Sequence, residues 1–138
     1  MILAYIDGGA RRNPGPAGYG VHIEDGNGSI LAELHGALGI ATNNVAEYNG
    51  LLAALQWAID HGHREVHIRA DSELLVKQMR GEYKVKHPGL QPLFVRARML
   101  VMQLDKVKFE HVRREFNKRA DALSNLGMDE AEAQLERT

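Results

Sequence analysis

The first apolar stretch of the chain predicts a buried strand that ends in an acid. Residues 2–6 are mostly apolar, and Asp7 and two glycines follow directly. An apolar run of this length bounded by glycine is typical of a central strand. Aspartate is depleted in strands and is seldom buried without a partner. Asp7 therefore indicates either a bound partner at the strand's carboxyl end or a simple turn.

The pattern that follows predicts an antiparallel meander. Residues 8–18 contain glycines and prolines and are predicted to form a loop. Residues 19–24 alternate between apolar and polar side chains, and 25–28 carry a strong hairpin signal. The segment 29–38 then returns as a third strand, so we expect three consecutive antiparallel strands.

The period of the pattern then becomes helical. Apolar side chains recur at helical spacing between residues 48 and 59, with N-cap candidates at 42–44 and a stop at Gly62. A strand at 66–70 follows and again ends in an acid, Asp71. A strand, a helix and a strand in this order imply a right-handed crossover and a parallel pair of strands.

The remaining elements are two helices, a fifth strand and a last helix. The helices are predicted at 72–80 and within 88–104, and the strand at 106–112. The last helix is predicted to be capped by Asn117 and to stop at Gly127. The stripe that the helix within 88–104 is expected to bury consists of Leu93, Val95 or Arg96, Met99, Leu100, Met102 and Gln103.

Together these elements predict an α/β fold. Its mixed five-stranded sheet combines the antiparallel meander with two parallel strands and is flanked by helices. One domain is expected over residues 1–127, and the polar residues 128–138 are expected to form a flexible tail. Ligand sites in such sheets form beyond the carboxyl ends of parallel strands, where Asp7 and Asp71 are predicted to lie.

Composition narrows the classes of function. The chain has no cysteine, which excludes a disulfide framework and a thiolate metal site. No apolar run reaches membrane-spanning length and no signal peptide is visible, so we expect a cytoplasmic monomer without membrane contact. The formal net charge of −1 gives no overall attraction to nucleic acid, although basic residues between Lys77 and Arg98 could form a local patch.

Four acids are candidate catalytic and metal-binding residues, and three of them have a structural alternative. Glu47 could complete a capping box with Asn44. Asp71 could cap the next helix, and Asp121 could favour the dipole of the last helix. No helix begins at Asp7, so no such alternative applies to it. If the acids meet at one sheet edge, their charges repel unless cations such as Mg²⁺ are present, and Mg²⁺ also binds substrate phosphates.

Four separated motifs resemble those of type 1 ribonuclease H. They are Tyr5-Ile6-Asp7-Gly8-Gly9 with Asn13-Pro14-Gly15, Thr42-Asn43-Asn44-Val45-Ala46-Glu47, Ala70-Asp71-Ser72, and Arg114-Glu115-Phe116-Asn117-Lys118-Arg119-Ala120-Asp121. They span nearly the whole chain and are most similar to compact prokaryotic and archaeal-type members without a basic protrusion. The resemblance implies an endonuclease that hydrolyses the RNA strand of RNA/DNA hybrids with two Mg²⁺ or Mn²⁺ ions. The expected products carry 5′-phosphate and 3′-hydroxyl ends.

The resemblance also implies roles for individual residues. The expected catalytic and metal-binding acids are Asp7, Glu47, Asp71 and Asp121, and the Gly8 carbonyl is a further expected ligand. The expected contacts to the hybrid are Asn13, Thr42, Asn43, Asn44 and Ser72. The structural alternative for residues 42–44 is helix capping, and for Asn13 it is turn formation before Pro14.

One position departs from the commoner family pattern. Many members carry a histidine in a mobile loop before the last acid, whereas here Arg114 stands seven residues before Asp121. We favour Arg114 over His111 as the residue that assists catalysis, because His111 is expected to be packed at the end of the fifth strand. The cations expected to replace part of the missing protrusion, at a salt-sensitive affinity, are Arg80, Lys84 and Lys86.

Two other hypotheses stay open on the sequence alone. One is a binding module that kept the fold and lost the chemistry, and acids at all four positions argue against it. The other is an integrase-like or junction-resolving enzyme on the same fold. Asparagines suited to a 2′-hydroxyl argue against a DNA-only substrate. Trp57 is expected in the core rather than as a base-stacking platform, and residues 61–63 as a surface turn.

Overall fold

The computed structural model describes residues 1–137 and contains every predicted element in the predicted order. The strands are β1 Ile2–Ala10, β2 Gly15–Glu24, β3 Ile30–Ala41, β4 Glu65–Ala70 and β5 Lys106–His111. The helices are α1 Asn43–Asp60, α2 Glu73–Met79, α3 Gln91–Met102 and α4 Lys118–Glu136, with a 3-10 turn at Arg114–Phe116. Among the described residues, no helix is both long enough and apolar enough to cross a bilayer.

The sheet has the strand order β3-β2-β1-β4-β5, which places β1 at its centre. The β1–β2 and β2–β3 pairs are antiparallel, and β4 pairs in parallel with both β1 and β5. The predicted mixed sheet is therefore confirmed. The first hairpin is longer than predicted, because Gly8 pairs with Tyr19 and Gly9 with Gly18 inside the ladder rather than in a loop.

The apolar core lies between the sheet and α1. Every second residue of β1 from Ile2 to Ile6 is buried, and Leu51 and Leu55 of α1 join the same cluster. Burying a side chain of this size stabilises the fold by about 1.5–3 kcal/mol. Trp57 packs partly buried against the cluster, as expected, and its ring stacks on that of His61 in the turn after α1.

The predicted buried stripe of α3 is mostly wrong. Val95, Met99 and Met102 are 53%, 60% and 82% exposed. Ala97 is the buried residue of this helix, and Phe94 packs partly buried against the core one turn before it. The helix carries apolar residues at helical spacing on two sides, and spacing alone does not tell which side faces α1. The members of the predicted stripe that do pack against the core are Leu93 and Leu100.

The last helix does not end at Gly127, contrary to the prediction. It continues to Glu136, and Met128 and Ala131 are buried within it. Much of the segment predicted as a polar tail is therefore helical and packed on the domain. Thr138, the final residue of that predicted segment, lies outside the described residues.

Gly127 marks a close contact rather than a helix stop. A Cβ at Gly127 would collide with the backbone of Gly36 on β3, and a Cβ at Gly18 on β2 would collide with Gly127. Glycine at these positions lets α4 lie directly on the antiparallel half of the sheet. That contact fixes where the first turn of α4, with Asp121, meets the end of β1.

Candidate active site

One cavity lies where the parallel pairing of β1 with β4 ends, and it collects the four candidate acids. It has a volume of about 370 Å³, and its acidic lining residues are Asp7, Glu47, Asp71 and Asp121. Contrary to the prediction, Asp7 is not at the end of β1, because the strand continues to Ala10. Asp7 lies on β1, and Asp71 directly follows β4, its parallel neighbour. Glu47 approaches from α1 and Asp121 from α4. We call this the acid cavity.

Gly8 allows α1 to approach the end of β1. A Cβ at this position would collide with the backbone of Ala46 and Glu47, so a larger residue would push the helix away. The helix begins after Thr42, whose Oγ1 accepts a hydrogen bond from the backbone N–H of Val45 at 3.2 Å. A cap at Thr42 places Glu47 too far along the helix for a capping box, so this structural alternative for Glu47 is wrong.

Asp7 is the most deeply buried of the four acids, with 9% exposure. The Ser124 hydroxyl donates to Asp7 Oδ2 at 3.1 Å. Burial, and then the charge of Asp71, raises the pKa of Asp7 to about 8. At neutral pH and without a cation, the folded protein therefore favours a proton on this carboxylate.

Glu47 and Asp71 are also held against their charged forms. Burial raises the pKa of Glu47 to about 7, although a hydrogen bond from the Ser72 hydroxyl opposes the rise. Burial also raises the pKa of Asp71, opposed by the positive charge of Arg114. Asp71 does not cap α2, because the cap is Ser72, whose Oγ accepts from the backbone N–H of Leu75 at 3.2 Å.

The donor set of the acid cavity fits a hard divalent cation. Clustered carboxylates with raised pKa values either share protons or bind cations. Within residues 1–137, no three His, Cys, Asp or Glu side chains form a ready-made metal cage. Mg²⁺ is usually held by one or two carboxylates, with waters and substrate phosphates completing its shell. The cavity therefore suits a cation that binds together with a phosphate-bearing ligand, and Gly8, the predicted carbonyl ligand, also lines it.

Two of the predicted substrate residues, Asn13 and Asn43, are linked by a hydrogen bond at the rim of the cavity. Asn13 Oδ1 accepts from the backbone N–H of Asn43 at 3.0 Å, and Asn43 Oδ1 accepts from that of Ala10 at 2.8 Å. Both bonds use the amide oxygen, which leaves the Nδ2 donors for a ligand. Asn43 lines the acid cavity, and Asn44 is exposed in the first turn of α1. Thr42 acts as a helix cap, as its structural alternative predicted.

Two supporting residues were missed or misassigned from the sequence. Asn117 was predicted to cap the last helix, but its side chain instead donates from Nδ2 to the Ile6 carbonyl at 2.9 Å. It also hydrogen-bonds Asp71 and so helps to lower the pKa of that acid. Ser124 was not predicted, although its spacing of three residues from Asp121 places both on one face of α4.

Arg114 lines the acid cavity, and His111 is not among the lining residues. The expectation that His111 is packed is wrong, since it is exposed at the end of the edge strand β5. The preference for Arg114 over His111 is therefore supported by the place of Arg114 in the cavity lining, and not by packing of His111.

One residue of the predicted basic patch, Arg80, makes contacts within the protein. The Arg80 guanidinium donates to the Phe109 carbonyl from Nη2 at 2.6 Å and lies 3.7 Å from Glu82. Lys84 and Lys86 are exposed. All three predicted substitutes for a basic protrusion are exposed, and Arg80 differs from the two lysines in that its guanidinium is already hydrogen-bonded within the fold.

Comparisons with known proteins agree with this architecture. A family model described as reverse transcriptase-like matches residues 5–127. The chain is 49% identical over 131 residues to the bifunctional protein Rv2228c of Mycobacterium tuberculosis, which covers 94% of this chain and 36% of that protein. It is 45% identical over 130 residues to ribonuclease HI of Halobacterium salinarum, covering 94% and 65% of the two. The chain thus spans about a third of the mycobacterial relative's length.

Solved structures share the whole fold. The N-terminal RNase H domain of Rv2228c superposes with a TM-score of 0.93 at 45% identity, covering 97% of both chains. LC11-RNase H1, solved in complex with an RNA/DNA hybrid, gives a TM-score of 0.90 at 46% identity, covering 95% of this chain and 99% of that one. Likeness of this degree along nearly the entire chain shows that the protein belongs to the ribonuclease H family.

Proposed function

We propose that the protein is an endonuclease that hydrolyses the RNA strand of RNA/DNA hybrids. The observation that carries the proposal is the acid cavity, where four carboxylates from separate elements meet. Membership of the ribonuclease H family supports this activity, and the complex of LC11-RNase H1 with an RNA/DNA hybrid supports the same substrate here. The expected products carry 5′-phosphate and 3′-hydroxyl ends.

We assign the divalent cation sites to the acid cavity. Asp7 and Asp71 would hold the cations most directly, with Glu47 joining one site and Asp121 the other. The Gly8 carbonyl is a further candidate ligand. Two bound Mg²⁺ or Mn²⁺ ions would supply charge stabilisation for the attacking and leaving oxygens of an in-line displacement.

The protein's own residues hold this constellation in place. Ser124 orients the Asp7 carboxylate, and Asn117 ties the Ile6 carbonyl of β1, next to Asp7, to the start of α4. Because the acids stand on rigid elements, little reorganisation is needed when charge develops on the reacting phosphate. Arg114 adds a permanent positive charge at the cavity, suited to stabilising the charge of the phosphate as the product forms and leaves.

We assign the asparagines at the rim of the acid cavity to recognition of the hybrid. The 2′-hydroxyl both donates and accepts hydrogen bonds, and it is what distinguishes RNA from DNA. The Nδ2 groups of Asn13 and Asn43 would donate to it or to its ribose, and Glu47 would lie near it. The remaining assigned contacts are Thr42, Asn44 and Ser72.

Cleavage of matched duplexes tests the proposal. RNA/DNA, DNA/DNA and RNA/RNA duplexes of one sequence, each strand labelled separately, are incubated with Mg²⁺ or with EDTA. We expect cleavage of the RNA strand of the hybrid in Mg²⁺ and none in EDTA. Equal cutting of DNA/DNA would overturn the proposal, and tight hybrid binding without cutting would favour a binding module. Ligation of the products to an acceptor that requires a 5′-phosphate checks the predicted ends.

A further inference from the structure

Arg11 joins the acid cavity to the second half of α4. Its Nη2 donates to Asp129 Oδ1 at 2.7 Å, and its Nη1 donates to Glu132 Oε1 at 3.0 Å. Nη2 also lies 3.3 Å from the carbonyl oxygen and from Oδ1 of Asn125. These partners follow one another along a single face of the helix. One guanidinium, 32% exposed, thus fastens the end of β1 to successive turns of α4.

Arg11 also begins the loop that carries Asn13. Its backbone N–H donates to the Pro16 carbonyl at 2.9 Å and closes the loop at its base. Asn13 Oδ1 then accepts from the Asn43 backbone at 3.0 Å, and Asn43 Oδ1 accepts from the Ala10 backbone at 2.8 Å. The hydrogen bonds of Arg11 with α4 and those of Asn13 and Asn43, joined by the loop backbone, therefore connect α4 to the start of α1.

We infer that Arg11, held by Asp129 and Glu132, is a positioning residue for substrate binding. We call this ion-paired group the α4 clasp. It fixes the loop so that the donor ends of Asn13 and Asn43 are presented together to the sugar–phosphate surface of the hybrid. The substrate in this statement rests on the proposed function, whereas the clasp does not. The acids of the predicted polar tail thereby acquire a role as the clasp's anchors.

Simple electrostatics predicts the opposite effect for these acids. Asp129 and Glu132 are negative charges beside a site for a polyanion, so removing them should tighten hybrid binding. Freeing Arg11 to reach a phosphate should tighten it further. The clasp predicts weaker binding, because a loosened loop presents its donors less precisely. The sign of the change therefore separates the two accounts.

The first test neutralises the anchors while keeping their shape. In D129N/E132Q, we expect KM for a hybrid in Mg²⁺ to rise by about fivefold while kcat stays within about twofold. The matched control is E130Q/E136Q, which removes two negative charges from the same helix without touching Arg11. In the control, KM should be unchanged or lower. A KM at or below the wild-type value in D129N/E132Q would overturn the inference.

The second test compares neighbouring arginines. Arg11→Gln and Arg12→Gln each remove one positive charge from the same loop, so their long-range effects on hybrid binding are alike. We expect KM to rise about threefold more in Arg11→Gln than in Arg12→Gln. Arg11→Lys should rescue only part of the loss, because an ammonium cannot bridge the same partners as a planar guanidinium. Equal KM values for the two glutamine variants would contradict the clasp.

A third measurement needs no substrate. The amide protons of Ala10 and Asn43 report directly on the hydrogen bonds that Asn43 and Asn13 accept, and their exchange is followed by NMR. We expect faster exchange at both in D129N/E132Q and Arg11→Gln, and wild-type exchange in the controls. Unchanged exchange in both clasp variants would overturn the clasp. A wild-type protein that shows the clasp but cuts no hybrid would overturn the proposed function alone.

Discussion

Two groups of polar side chains lie on the same face of the sheet and treat their acids in opposite ways. One is the acid cavity at Asp7. The other crosses all five strands two residues earlier on β1, at Tyr5. The members of this polar row, each paired with the next across the sheet, are Glu33, His22, Tyr5, Arg69 and Glu110.

Every acid of the polar row has a basic partner. Arg119 contacts both oxygens of Glu33 at 2.6 and 2.8 Å, and His22 lies 2.7 Å from the same carboxylate. Hydrogen bonds from Arg119 and then from His22 lower the pKa of Glu33 to about 2. Arg69 likewise donates to Glu110 at 2.9 Å and to the Tyr5 hydroxyl at 2.7 Å. This row stabilises the fold in its charged form.

In the acid cavity, Arg114 only partly opposes the raised pKa of Asp71, and no base within residues 1–137 lowers the pKa of Asp7 or Glu47. Burial and neighbouring acids raise the pKa of Asp7 to about 8, on the same strand face as the polar row. Acids held against ionisation reduce the stability of the folded protein at neutral pH, and such groups concentrate at functional sites. A carboxylate with a basic hydrogen-bond partner therefore acts as a structural acid, whereas a buried carboxylate without one is a candidate catalytic acid.

The largest expected effect is that of Asp7→Asn. We expect turnover of the hybrid to fall by about a thousandfold or more, because a central charge of the reacting site is lost. The melting temperature in EDTA should stay level or rise, since repulsion within the cavity decreases. Steady-state cleavage and thermal unfolding check both halves. A sharp fall in melting temperature would count against the account.

Glu33→Gln is the matched control in the polar row. It removes one negative charge from the same sheet face, but at a paired position. We expect turnover within about twofold of wild type and a loss of about 1 kcal/mol in the free energy of unfolding. The two variants should therefore show opposite patterns of activity and stability, and a shared pattern would erase the distinction between the groups.

Arg114→Ala should have the next largest effect on activity. We expect kcat to fall by about ten- to a hundredfold while KM changes by less than about threefold. Arg113→Ala is the control, because its side chain is 79% exposed and pairs at 4.0 Å with Glu115. Unchanged turnover in Arg114→Ala would redirect attention to His111.

The pH dependence of stability should also distinguish the two groups. Asp7 and Glu47 have raised pKa values of about 8 and about 7, so the folded state binds their protons more tightly than the unfolded state does. Their contribution is therefore full at low pH and lost as pH rises through these values. We expect the free energy of unfolding in EDTA to fall by roughly 4 kcal/mol between about pH 6 and pH 9.

Urea unfolding in EDTA across this pH range measures the effect. Asp7→Asn should flatten the profile, and added Mg²⁺ should restore stability most at the alkaline end, where the carboxylates are charged. A free energy of unfolding that rises with pH over this range would contradict the assignment.

The smallest expected effect lies at acid pH. Because the pKa of Glu33 is lowered to about 2 from an ordinary value of 4.5, its stabilising contribution is present above about pH 4.5 and lost as pH falls towards 2. Acid unfolding of Glu33→Gln should therefore be less steep than that of the wild type between about pH 4 and pH 2. Identical acid profiles would show that Arg119 does not stabilise the charged form.

Sequence reasoning worked where local pattern and function coincide. An acid after an apolar run is visible at Asp7 and again at Asp71, and the topology that joins them follows from the strand–helix–strand order. The start of the helix that carries Glu47 was predictable because Thr42 is a typical N-cap residue. These features can be read from short stretches of sequence, and in the structure the four acids do line one cavity.

It failed where a long-range contact decides the outcome. Gly127 looks like a helix stop, but glycine is needed there because α4 packs closely against β3, a strand far away in sequence. Asn117 looks like a cap, and yet it bonds the carbonyl of Ile6. Asp129 and Glu132, the ion-pair partners of Arg11, lie in a part of α4 that was predicted to be a polar tail. No periodicity encodes such contacts, because they depend on how finished elements pack.

Whether cations join the four carboxylates to the RNA strand is decided by diffraction from crystals of the wild-type protein grown with Mn²⁺ and a hybrid that carries a non-cleavable phosphate at one RNA position. We expect anomalous peaks from two ions among Asp7, Glu47, Asp71 and Asp121, with the modified phosphate of the RNA strand beside them. A hybrid bound with its DNA strand in the acid cavity, or with no ion among these carboxylates, would contradict this expectation.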